Sequence, residues 1–364
     1  MTAALRWWCV LIGSLLLVAT PMLVRARPVP ASDVPAGALL QRIVEARSLS
    51  YTGLVRTRGT VAFPDAEQLS GLAKLLGTTN RVRVWWQDPA VWRVATLRPT
   101  GETDLVHDGD RMVRWVYESK NATLIPDATV RLPDTRDLLP PELARWALAQ
   151  ARPDELTRLP SRRVAGHDAL GLRLVPNTPR SSVGRVDVYV DGGSGLPLTV
   201  EIFAKGTTTP ALSSTFEDLE IDAPDDSDLA FTPPPDANLR FDADVDLAAA
   251  VDRFSDATPP TQLAGLSARG ATTSPVGVFG RGPTVLLAIP LDSRTAEDLC
   301  EQLEERPGAV RVNEGILVAA APLGLLLTTR DAAGTSWLLA GTVTRNGLRA
   351  AAGQLVPAAG VETR

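Results

Sequence analysis

The chain has 364 residues, 45% of them hydrophobic, which is ample material for a large core and suggests about two domains. Lys+Arg total 37 against Asp+Glu 42, a net charge of −5, which argues against a nucleic-acid partner because no basic excess is present to neutralise phosphates. Two histidines (His107, His167) and two cysteines (Cys9, Cys300) leave little room for a zinc site or a Cys/His nucleophile.

The first element is a targeting segment, residues 1–31. Arg6 precedes an apolar run from Trp7 to Val24. A bilayer span needs about 20 apolar residues and a signal-peptide core about 7–15, so the run fits both a cleaved signal and a retained membrane anchor. Arg25 and Arg27 follow it and nearly balance the amino terminus and Arg6, so charge alone leaves the orientation open. Cys9 opens the run rather than closing it, which disfavours a lipidated cysteine. Either way the remainder of the chain is expected outside the cytoplasm, secreted or tethered to the cytoplasmic membrane. Cys300, between Leu299 and Leu303, reads as a buried structural residue.

A Pro-rich linker at 28–35 leads into a short helix from Gly37 to Arg47 with Leu39, Leu40, Ile43 and Val44 on one face. From Tyr51 to about Phe231 strand signals dominate. Residues 81–86, 91–94, 112–117 and 186–190 alternate, and alternate residues of a strand point to opposite faces. The alternation places Arg81, Arg83, Arg93 and Arg114 on a wet face. It places Trp86, Trp92, Trp115 and Tyr117 inward, together with Val188, Val200, Ile202 and Phe216. Turns fall at Asp108-Gly109-Asp110, Gly192-Gly193 and Ser194-Gly195. Two helical segments interrupt the strands, Ala66–Gly77 and Leu138–Ala151, the second opening on Pro140-Pro141-Glu142. An acidic, Pro-rich break lies between Asp222 and Asp244. Beyond it the chain reads as α+β, with strands at 279–291, 310–320, 323–329 and 337–343 and helices at 294–305 and 348–355. The resulting division is 37–235 and 245–364.

Catalytic patterns are weak. His107-Asp108 and His167-Asp168 read as solvated turn histidines. Gly193-Ser194-Gly195 leads from strand to strand, where a nucleophile elbow leads into a helix. The glycines at 277, 280 and 282 do not fit a dinucleotide or Walker loop. Glu301, Glu304 and Glu305 form a solvated helix face. No enzyme activity, cofactor or metal is expected. The clustered aromatics either fill a core or line an apolar cavity within a curved sheet, and both readings stand at this point.

The strand region, about Gly37 to Pro235, resembles the LolA/LolB lipoprotein-carrier superfamily in its RseB/MucB (sigma-E regulatory protein) branch. The resemblance rests on Tyr51-Thr52-Gly53, on Asp108-Gly109 followed by Trp115-Val116-Tyr117, and on 186–191 followed by Gly195-Leu196-Pro197-Leu198. It rests also on 216–221 followed by Phe231-Thr232-Pro233-Pro234, and more weakly on 336–343 with 348–355, similar to the small C-terminal domain of that branch. The resemblance implies a mainly β fold: an antiparallel half-barrel with covering helices and an apolar cavity for acyl chains, plus a small α+β C-terminal domain. It also implies a non-enzymatic role, in which a lipid or lipoprotein acyl chain is bound in a cavity lined by the eight inward residues. The ligand, or the bound state, then passes to a membrane protein such as an anti-sigma factor or a transporter. The alternative is a regulator that binds a transmembrane anti-sigma factor with a dry core and no ligand of its own.

Overall fold

The computed structural model describes residues 29, 32–61, 70–126, 128, 130–241, 251, 255, 257–270, 274–306, 308–331 and 334–356. The N-terminal apolar run and Cys9 lie outside them. Among the described residues no helix is long and apolar enough to cross a membrane.

Two antiparallel meanders and one added edge strand make a 12-stranded sheet. The first runs β1 Tyr51–Gly59, β2 Thr79–Asp88, β3 Val91–Arg98, β4 Gly101–Asp108, β5 Arg111–Val116 and β6 Asn121–Ile125. The second runs β7 Leu156–Val164, β8 His167–Leu174, β9 Val183–Asp191, β10 Pro197–Ala204 and β11 Leu212–Glu220. Pairing of β1 with β11 joins them. The last strand, β12 Asn238–Phe241, adds to the edge beside β6 in parallel. The fold is thus mainly β, an open antiparallel sheet of the half-barrel class with helices on its concave face.

Helices α1 Ala36–Glu45 and α3 Pro140–Leu148 lie on that face. Prolines at the first two positions of α3 lack amide hydrogens that the helix start leaves unpaired anyway. Leu143, Ala144, Ala147 and Leu148 then form one buried stripe. The turn after β9 packs directly on α1: Gly195 has φ +79, and a Cβ there would lie 2.9 Å from the Arg42 carbonyl oxygen, so only glycine fits. The expected helix at 66–77 is described as α2, Ser70–Gly77.

A six-stranded antiparallel sheet follows, with the strands at 277–281 and 310–312 on its two edges. Its strands are β15 Gly277–Arg281, β16 Thr284–Leu291, β17 Val310–Val312, β18 Gly315–Ala320, β19 Leu323–Thr328 and β20 Ser336–Gly341. A two-residue hairpin, β13 Gln262–Leu263 with β14 Leu266–Ser267, precedes it. The runs 279–291 and 310–320, expected as single strands, are each folded into hairpins, at 282–283 and 313–314. Helix α5 Ser293–Glu304 is capped by the Asp292 carboxylate on the amides of Arg294 and Thr295, and α6 Arg345–Leu355 by Thr344. Phe279, Leu286, Leu326, Leu339 and Leu348 centre this core.

The two sheets touch. The Ser182 amide donates to the Thr342 carbonyl at 3.1 Å and the Thr344 amide to the Arg180 carbonyl at 2.8 Å. Arg281 grips buried Glu155 with two hydrogen bonds of 2.6 Å. Burial opposes ionisation of Glu155, but Arg281 and the amides of Asn177 and Arg152 outweigh it and hold the carboxyl down at about 2.

The Pro-rich stretch expected as a break is structured. Residues 226–241 form a strap over the convex face: helix α4 Asp226–Leu229 packs on β3, Phe231 meets Trp115 at 5.7 Å, and β12 ends it.

Candidate functional site: the concave face

The register assigns each sequence-predicted residue to a face. Tyr51, Trp86, Trp92, His107, Met112 and Ile125 are successive cross-strand partners over β1 to β6. The four rings stack as a row: Tyr51 on Trp86 at 5.9 Å, Trp86 on Trp92 at 5.8 Å, Trp92 on His107 at 5.3 Å. Phe216 meets Tyr51 edge-on at 5.8 Å. Such cross-strand rings both bury area and pin the register. His107 is therefore a member of this row, not a solvated turn residue; the strand, with partners on both sides, carries it one step inside the turn. The Tyr51 hydroxyl and His107 Nδ1 are buried with no hydrogen-bond partner among the described residues, and burial, seconded by Glu142, pushes the Tyr51 phenol well up.

Trp86, Trp92, Phe216, Val188, Val200 and Ile202 all sit on the concave face, as expected, and all are buried. Trp115 and Tyr117 do not join them. Trp115 pairs with Asp104 and Ala122 on the convex face, under Phe231 of the strap. Tyr117 is 45% exposed on that side. Arg114 correspondingly turns to the concave face, in register with Leu105 and Thr123, and Arg93 is on the convex face as expected. The reason is that β5 mixes apolar and polar residues on both faces. Met112, Arg114 and Val116 alternate with Val113, Trp115 and Tyr117, and only the His107–Met112 pairing across the Gly109-Asp110 turn decides which set faces inward.

The concave face has a closed part and an open part. Over β8 to β11, Val188, Val200 and Ile202 pack against Leu39, Ile43, Leu143, Ala144 and Ala147 of α1 and α3. Over β2 to β5 a hollow of about 410 Å³ remains between the sheet, α2 and the loop before α3. Its floor is Val82, Leu105 and Val116, with Leu75 and Leu138 on its sides; Lys74, Asn80, Arg98, Thr103 and Arg114 add polar groups. Its volume falls in the range of small-molecule sites. None of the eight predicted residues lines it. Val82 and Leu105 lie on the same strand faces as Trp86 and His107, further along, so the alternation that singled out the rings also held the signal for the floor.

The loop wall is built by charge. Asp134 and Asp137 form a capping box on the turn Thr135–Leu138, and Arg131 donates to both carboxylates at 2.7–3.1 Å. Burial, with the neighbouring Asp137, pushes the Asp134 carboxyl above its usual value. Thr96 and Thr135 share a 3.2 Å hydrogen bond that ties the wall to β3, and Arg136 lies over the Trp92 ring at 5.2 Å.

The remaining polar clusters are structural. Ser194 Oγ donates to Asp191 at 2.8 Å, and His167 Nδ1 lies 3.2 Å from the same carboxylate. The order is Ser–Asp–His, so the serine faces an acceptor and not an imidazole base. Although burial resists it, the Ser194 and His167 contacts hold Asp191 below its usual value, and its bonds to the amides of Gly193 and Ser194 fix the turn. Cys300, half-buried on α5, donates to Glu304 at 3.4 Å. Among the described residues no group of three or more His, Cys, Asp or Glu could hold a metal ion.

No family model matches the chain, and no curated protein matches it. Among solved structures, MucB in complex with MucA(peri) aligns at 17% identity over 87% of this chain and 97% of that one, with a TM-score of 0.48. The MucA/MucB complex of Pseudomonas aeruginosa aligns at 16% identity over 87% and 96%, also with a TM-score of 0.48. A LolA superfamily protein from Nitrosomonas europaea aligns at 13% identity over 54% and 98%, with a TM-score of 0.24. The structural neighbours of this chain thus include MucB and LolA-superfamily proteins.

Proposed function

We propose that the chain is an extracytoplasmic binding protein that takes the acyl part of an amphiphile into the hollow over β2 to β5 and passes the ligand, or the bound state, to a membrane partner. The observation that carries this reading is the hollow itself: about 410 Å³ with an apolar floor and cationic side chains around it. An acyl chain gains by leaving water for such a floor, while Lys74 and Arg98 suit a polar head. Trp86, Trp92 and Phe216 lie outside the lining of the hollow, in the ring row packed further along the same face. The apolar run at 7–24 supports the extracytoplasmic location.

The second reading is a protein-binding regulator of a membrane anti-sigma factor, without a ligand. It is favoured by the closed part of the concave face, where helices already occupy the space an acyl chain would need. MucB, one of the structural neighbours, was solved with MucA(peri).

Val116→Trp separates the two. Val116 lines the hollow and is half-buried, so a larger ring fills the open volume. The purified protein is extracted for mass spectrometry of copurified lipids, then titrated with a fluorescent fatty acid and melted. The binding reading expects saturable binding by the wild type and at least about a tenfold loss in the variant, about 1.4 kcal/mol, with the melt unchanged. No lipid in the extract and no saturable titration of the wild type would leave the regulator reading.

A further inference from the structure

The convex face carries a buried row that its exposed arginines do not foreshadow. Ala95, Asp104 and Trp115 are cross-strand partners on β3, β4 and β5, and all three are buried, Asp104 at 0% exposure. The strap of residues 226–241 covers this region. Arg93 joins the two: its Nε and Nη2 donate to Asp104 Oδ2 at 3.0 and 2.6 Å, and its Nη1 donates to the carbonyl of Asp228 in the strap at 3.1 Å. The second oxygen, Asp104 Oδ1, is buried with no hydrogen-bond partner among the described residues. An unpaired buried carboxylate oxygen is costly, and a proton placed on it turns it into a donor. Glu102, two residues earlier on the same face, is the acceptor within reach.

We propose that Asp104 is an acid-sensitive anchor that holds the strap tightly on the convex face in mild acid and loosens it as the medium turns neutral. The charged and titratable groups facing Asp104 are Arg93 from β3, Glu102 from its own strand and Tyr117 after β5; Arg93 also donates to the Tyr117 hydroxyl at 3.3 Å. The strap brings Asp228 through its carbonyl. From β2 comes Arg83, stacked on the Trp85 ring that Arg93 also covers. Burial, opposed by Arg93 and reinforced by Glu102, pushes the Asp104 carboxyl up to about 6 from 3.8.

The sign follows from linkage. With the strap down, Asp104 holds its proton more tightly than when water reaches it, so falling pH favours the closed strap and rising pH through about 6 weakens it. The strap is poised to lift because its contact is incomplete. A void of about 170 Å³ lies between Phe231, Pro233 and Leu239 of the strap and Val106, Val113 and Leu124 of the sheet, and that gap forfeits dispersion contacts. Its last strand is exposed, Leu239 at 69% and Phe241 at 68%. Opening would bare Trp115 and the apolar side of β4 to β6.

Hydrogen exchange read by mass spectrometry tests this on the full chain from pH 5 to 8, with each amide corrected for its intrinsic rate. The Asn238 amide, which donates to the Lys120 carbonyl at 2.8 Å, reports the strap's hold on the sheet, and amides of β10 serve as the reference. Wild-type strap protection should fall about tenfold from pH 5 to 7 and then level off, because the carboxyl sits at about 6 under the closed strap and returns toward 3.8 when water reaches it. Asp104→Asn should hold it flat at the acid level. Protection that does not change with pH in the wild type, or that changes equally in Asp104→Asn, overturns the proposal. Should Asp104→Asn not fold, Glu102→Gln decides. It removes the proton's acceptor charge, so protection must level off at lower pH than in the wild type, and an unmoved levelling-off is equally fatal.

Discussion

The closed and open parts of the concave face start from the same strand pattern and end differently. In both, alternate residues point inward, and the apolar ones dominate over β8 to β11, while Asn80, Arg98, Thr103 and Arg114 interrupt them over β2 to β5. Over β8 to β11 that surface meets α1 and α3, whose stripes of Leu39, Ile43, Leu143, Ala144 and Ala147 interdigitate with Val188, Val200 and Ile202. Over β2 to β5 the cover is α2 and a charged loop, and about 410 Å³ stays open. The lesson is that an apolar sheet face is necessary for a cavity but does not make one. The covering elements decide, and the residues singled out for inward aromatic or aliphatic character are mostly those that found a cover.

This contrast can be broken most sharply at the closed part. Leu143→Ala removes a buried side chain from the α3 stripe and should cost about 2–5 kcal/mol of stability, read by urea unfolding. A loss below about 1 kcal/mol would mean that the helix does not fill the face.

Ile202→Trp comes next. Ile202 is packed under α1 and α3, so added bulk should cost about 1–3 kcal/mol and leave fatty-acid affinity unchanged. Val116→Trp, in the hollow, should do the reverse. Lost affinity with an unchanged melt in Ile202→Trp would put the ligand in the part described as closed.

The smallest effect concerns acid, which acts on the tie between the sheet that carries both parts and the second sheet, and on the wall of the hollow. Glu155, beyond α3, is held at about 2 against an ordinary 4.5, so its contribution is complete above about 4.5 and fades as pH falls toward 2. Asp134, in the wall of the hollow, is shifted the other way, so its ionisation works against the folded state and protonation relieves it. Glu155→Gln should cost about 1.5 kcal/mol at neutral pH, a deficit that shrinks between about pH 4.5 and 2. Melts of both proteins across that range check it; a deficit independent of pH would remove Arg281–Glu155 as the acid-labile tie.

What the residues declared in advance follows from local periodicity. Alternation marked β2, β3, β5 and β9, helical spacing marked α1 and α3, and the resemblance of short turn-and-strand motifs pointed to the half-barrel class. Six of the eight inward residues lie on the concave face because β1, β2, β3, β9, β10 and β11 present a well-separated pattern of apolar and polar sides. The paired ends were legible too, since glycine and aspartate mark the turns at 108–110 and 192–195.

Tertiary structure alone decided the rest. Strand β5 reads as amphipathic in either phase, so the placement of Trp115, Tyr117 and Arg114 waited on its pairing with His107 and on a strap from more than a hundred residues away. The strap itself looked like a linker, because acidic and proline residues disfavour regular structure locally; its Phe231, Leu239 and Arg93 contacts hold it only once the sheet exists. The open volume was invisible for the same physical reason. Periodicity records which side of a strand is dry, whereas a cavity depends on the distance between that side and whatever covers it. That distance is set by helix placement and loop ion pairs, such as Arg131 with Asp137, that no single segment encodes.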